Sequence, residues 1–85
     1  MLYLISYDLR TGATTDDHSR IQAAIEDMGG RKVMGTQWAV RSDLTSADLR
    51  DYLREFMASS DRLLLTEVAD SNWASYNVMS NLNAV

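Results

Sequence analysis

Eighty-five residues make a single domain, which excludes a catalytic module joined to a separate substrate module. Hydrophobic residues at 46% and charged residues at 24% exclude a disordered or fibrous chain. Twelve Asp and Glu against eight Lys and Arg leave a net charge of −4, the wrong sign for coating nucleic acid, and the absence of Cys excludes disulfides, thiolate metal sites and a Cys nucleophile. A chain without Cys fits a reducing cytoplasm.

The first element is a strand over residues 2 to 9, whose near-continuous apolar run from Leu2 to Tyr7 stops at Asp8. It is too short to span a bilayer and lacks a basic leader, so no export signal and no membrane contact are expected. Side chains alternate along a strand, which sends Leu2, Leu4, Ser6 and Asp8 to one face and Tyr3, Ile5, Tyr7 and Leu9 to the other. After a loop from Arg10 to Thr15, Asp16 or Asp17 is placed to cap a helix whose buried stripe is Ile21, Ala24, Ile25 and Met28. Gly29 and Gly30 end that helix. Residues 31 to 42 then read as a hairpin, or one long strand bulged at Gly35, with Trp38 and Val40 on one face. Thr45 opens a second helix with a stripe of Leu49, Tyr52, Leu53 and Phe56, and Leu44 is placed to staple against Leu49. A turn over residues 58 to 61 leads into an apolar strand from Arg62 to Val68.

The order strand, helix, strand, strand, helix, strand is that of a ferredoxin-like α+β domain over residues 1–69, with two helices on one face of an antiparallel sheet. Its other face is left open. Such a face tends to bury a second subunit or a nucleic-acid strand. Residues 70–85 form a tail whose Trp73, Tyr76, Val78, Met79, Leu82 and Val85 want a surface, on the chain's own sheet or across a dimer. A domain of this size buries only about 60–65% of its unfolded surface, which also favours a partner subunit.

Several residues carry candidate chemistry. Arg31, Lys32 and Arg41 lie in a stretch without any acid and, with Arg10, are the candidate nucleic-acid contacts of an otherwise acidic chain. Asp8 has two readings, a metal ligand or a strand-ending acid that accepts loop amides or pairs with Arg10. His18 stands at a helix start with no second ligand at metal spacing, which suits an exposed or capping residue better than a general base. Tyr3, Tyr7 and Trp38 could stack bases but sit in apolar strands where core packing is the default. Trp73 and Tyr76 belong to a polar tail and are expected to anchor it across a dimer.

Tyr7-Asp8-Leu9, Gly29-Gly30, Gln37-Trp38-Ala39-Val40 and the strand from Arg62 to Val68 together resemble the CRISPR-associated protein 2 superfamily of small ferredoxin-like dimers. Leu4-Ile5-Ser6-Tyr7-Asp8-Leu9, Trp38, Asp61-Arg62-Leu63-Leu64 and Asn72-Trp73-Ala74 are similar to its small stand-alone branch, the SinR-like relatives. VapD-like toxins are more distant kin. The resemblance implies a homodimer in which Asp8 from each copy shares one Mg²⁺ for endonuclease cleavage of RNA or DNA. It equally implies an alternative, a non-catalytic dimeric scaffold or protein-binding module in phage defence or a toxin–antitoxin setting. Two features depart from the superfamily: Asp16-Asp17-His18-Ser19-Arg20 is acidic where basic residues are common, and Arg41 stands where an acid is common.

Overall fold

The computed structural model describes residues 1–69 and 72–85; residues 70 and 71, where the tail is expected to begin, lie outside it. The elements follow the expected order: β1 (Leu2–Asp8), α1 (Thr15–Asp27), β2 (Arg31–Met34), β3 (Gln37–Arg41), α2 (Ser46–Arg54) and β4 (Arg62–Val68), with a final 3-10 turn at Leu82–Ala84. Four strands form one sheet in the order β2-β3-β1-β4, and each neighbouring pair is antiparallel. This is the ferredoxin-like arrangement, with β1 in the centre and β4 at an edge.

Helix α1 starts earlier than the acid pair suggested. Thr14 is the N-cap, its hydroxyl accepting from the Asp17 amide at 3.2 Å while the Asp17 carboxylate accepts from the Thr14 amide at 2.9 Å. Asp17 is therefore the third residue of a reciprocal capping box and lies inside the helix, as does Asp16. At the other end Gly29 takes a φ of +83°. Its amide donates to Glu26 and that of Gly30 to Ile25, the two bonds of a Schellman stop. The segment after it is a hairpin turning at Gly35-Thr36, with a register shift between Lys32 and Met34. Thr45 caps α2 as expected, accepting from the Asp48 amide at 3.1 Å.

The main core lies between the helices and one sheet face. Tyr3, Ile5, Tyr7, Trp38 and Val40 meet Ile21, Ala24, Ile25, Leu49 and Leu53 there. The three strand aromatics are thus core residues and cannot stack on a base. On the opposite face Leu2, Val33 and Ala39 bury Leu82, with Leu4, Val68, Trp73 and Val85 packed around them. The tail is the lid of this second cluster. Its Met79 amide donates to the Val33 carbonyl at 3.0 Å, and Arg41 Nε donates to the Val85 carbonyl at 2.8 Å. The tail therefore docks on its own chain's sheet, covering the part of the open face that Leu2 and Ala39 occupy.

Candidate functional site

Beyond the tail's cover the open face continues through Ser6 and Asp8 on β1, Gln37 on β3, and Arg62 and Leu64 on β4. The register places Ser6 between Gln37 and Leu64, and Asp8 directly opposite Arg62. Gln37 Nε2 donates to Ser6 Oγ at 3.1 Å, which fixes the serine hydroxyl on that face. Leu64 is 64% exposed, because alternation turns it away from Leu63 and Leu65, which pack on the helix-side core. One shallow depression is lined by Ser6, Asp8, Thr36, Arg62 and Leu64, and a second by Asp8, Thr11, Ser60 and Arg62. Asp8 and Arg62 form the ridge between them.

The Asp8 carboxylate is exposed at the end of β1 and makes no hydrogen bond or ion pair among the described residues. Among the described residues it accepts from no loop amide and does not pair with Arg10. The Arg10 amide donates to Asp61 Oδ1 at 2.7 Å, and its guanidinium reaches Asp61 at 3.3 Å and Asp17 Oδ2 at 2.8 Å. Pairing of Asp8 with Arg10 is thereby replaced by a clamp on two other acids, since the loop after β1 carries Arg10 toward α1 and the turn before β4. Asp61 also accepts from the Ala58 amide at 2.7 Å, and its side chain is only 1% exposed. Burial opposes its ionisation, but the Arg10 and Ala58 amides and the Arg10 guanidinium outweigh burial and hold the carboxyl below the ordinary value. The Asp17 carboxyl is lowered as well, first by the Thr14 amide, then by the Thr14 hydroxyl and Arg10. On the core side, burial pushes the Tyr3 phenol up and Glu67 adds to the effect, while its hydroxyl donates to the Leu44 carbonyl at 2.7 Å.

The other expected cations do not converge on Asp8. Arg31 lies opposite Ala39 and so shares the tail's face with Arg41, whereas Lys32 lies opposite Trp38 on the helix side. The acid-free stretch is split between faces by strand alternation. Trp73 is half-buried in the tail's own cluster, and Tyr76 is 93% exposed beside Asn77, which takes a φ of +56°. His18 is an exposed residue of the first turn of α1. The cation that does share both depressions with Asp8 is Arg62. Sequence reading passes over it because its place depends on the β1–β4 register; the signal available was its position at the start of a strand antiparallel to β1.

As a metal site the donor set is half complete. A carboxylate oxygen suits a hard divalent ion. Among the described residues no three His, Cys, Asp or Glu side chains come together, and Asp8 is the carboxylate that lines either depression, so the two-carboxylate site that the resemblance implies would take its second from another copy. No helix among the described residues is long and apolar enough to cross a membrane. The chain matches no protein-family model. What fold and site define is a small ferredoxin-like α+β protein with an acid and a base side by side on an uncovered sheet end.

Proposed function

We propose that this protein acts in the cytoplasm as a homodimer of the CRISPR-associated protein 2 kind and hydrolyses phosphodiester bonds in RNA or DNA, with Asp8 of each copy holding one Mg²⁺. The observation that carries this reading is the state of the acids. Asp17 and Asp61 are committed to caps and to Arg10, whereas Asp8, the acid that lines both depressions at the end of the central strand, makes no hydrogen bond or ion pair among the described residues. The exposed Leu64 beside it supports a second copy on the uncovered face. A divalent ion held there would supply polarisation of the phosphate and a lowered pKa for the attacking water. Ser6, held by Gln37, and Thr36 bring hydroxyls to the same depression, where they can donate to phosphate oxygens.

Asp8→Ala is expected to abolish Mg²⁺-dependent cleavage of labelled RNA and DNA while light scattering still reports the dimer. Cleavage unchanged by that substitution, or single chains only, would refute the reading. A second reading is a non-catalytic scaffold or protein-binding module in phage defence or a toxin–antitoxin setting. It is favoured by the net charge of −4 and by the division of Arg31, Arg41 and Lys32 between opposite faces. A wild-type dimer that cleaves nothing with Mg²⁺ but retains a protein partner would decide for it.

A further inference from the structure

Among the described residues, Arg62 and Asp8 are antiparallel neighbours of opposite charge that do not close on each other. Side chains directly opposite on such a pair stand roughly 4.5–5.5 Å apart at Cβ, near enough to act on one ligand. Asp61, the residue before Arg62, has its oxygens taken by two amides and the Arg10 guanidinium. Arg10 itself lines the second depression, yet its guanidinium is committed to Asp17 and Asp61. A phosphodiester approaching Asp8 alone would meet an unscreened like charge. Arg62 removes that obstacle, and its planar fork of donors matches two oxygens of a phosphate. Hydroxyls flank it on both sides of the ridge, Thr36 in one depression and Thr11 and Ser60 in the other.

We infer that Arg62 is the phosphate-binding residue of this face, holding one nucleic-acid phosphodiester across the ridge it forms with Asp8. The inference rests on the proposed reading of the site as one for phosphodiesters, but it needs neither the ion nor catalysis. Both depressions are shallow, and the one lined by Asp8, Arg10, Thr11, Ser60 and Arg62 is mainly polar, so the contact made there is with backbone charge and not base sequence. RNA and DNA share that chemistry.

The test is fluorescence anisotropy of the full-length protein with a labelled single-stranded RNA and the same-sequence DNA, in EDTA, across a salt series. Arg62→Ala should weaken binding about tenfold at low salt and reduce the slope of log affinity against log salt by about one. Arg62→Lys should keep the slope, and light scattering should report the wild-type assembly in each variant, so that lost binding is not a lost dimer; Arg62 is exposed within the chain. Equal loss on RNA and DNA supports a backbone contact; loss on RNA alone assigns the contact to the 2′-hydroxyl and overturns the phosphate assignment. Wild-type affinity and slope in Arg62→Ala, or no binding by the wild type, overturns it too. Cleavage lost in Asp8→Ala with binding intact in Arg62→Ala would leave the nuclease reading standing without this residue. The converse pattern would keep the phosphate site and remove the metal.

Discussion

At Gly30 a β-carbon would meet the Ile25 carbonyl oxygen at 2.8 Å and the Ile25 γ2 methyl closer still. That carbonyl accepts from the Gly30 amide at 3.0 Å, and Ile25 is fully buried, so neither atom is free to withdraw. Gly30→Ala is therefore expected to lose about 1–3 kcal/mol, the range for overfilling a packed site. Gly29 differs: open space surrounds it, but its φ of +83° disfavours any side chain, and Gly29→Ala should lose roughly 1 kcal/mol through backbone strain. Urea midpoints for the two variants check this. Equal midpoints for Gly30→Ala and wild type would show that the Ile25 turn yields more easily than its bonds suggest. The sequence marks both glycines only as the end of a helix. Which one is needed for its angle and which for its missing side chain depends on the Schellman turn and on the packing of Ile25.

Three elements meet at Arg10: the end of β1, the start of α1 and the turn before β4, joined through Asp17 and Asp61. Both carboxyls lie below their reference value of 3.8 in the folded chain. A depressed folded pKa gives stability that is full above the unfolded value and is lost as pH falls through the folded one. Stability should thus be level above about pH 5 and decline as pH drops through the carboxylate range and below it. Asp61→Ala removes the acceptor for two amides and a guanidinium, and about 2 kcal/mol of stability near neutral pH should go with it. The same variant should show a shallower acid decline. Urea titrations at neutral and acid pH measure both, and a decline as steep as that of the wild type would place the acid-sensitive groups elsewhere. Little of this joint is legible in the chain. The Thr14 to Asp17 box is local, but its acid at the third position reads equally as a cap, and Arg10 meets an acid 51 residues away while a nearer one, Asp8, goes unused.

On the scale of the whole molecule, the two faces of the sheet were open to sequence reading to different degrees. Helical spacing and strand alternation identify the helix-side core, because each of its side chains is buried by a neighbour that the βαββαβ order already supplies; of the stripe expected on α2, Tyr52 is the exception and lies exposed, its ring edge-on to Phe56. The far face has no such cover until the tail folds back. Nothing in the run Leu63-Leu64-Leu65 shows that its middle member faces outward, and nothing near Leu82 shows that Leu2, Val33 and Ala39 await it. The two leucines therefore separate fold from assembly. Leu82→Ala empties a buried site and should lose about 2–4 kcal/mol, enough to matter in a domain of this size. Leu64→Asp alters an exposed position, so melting of the isolated chain should move by no more than about 0.5 kcal/mol in stability. If a second copy covers the uncovered face, Leu64→Asp should nevertheless bury a charge at the contact and shift light scattering toward single chains. A Leu64→Asp protein that scatters as the wild-type dimer would remove this face from the interface, and with it the means of bringing two Asp8 carboxylates to one ion.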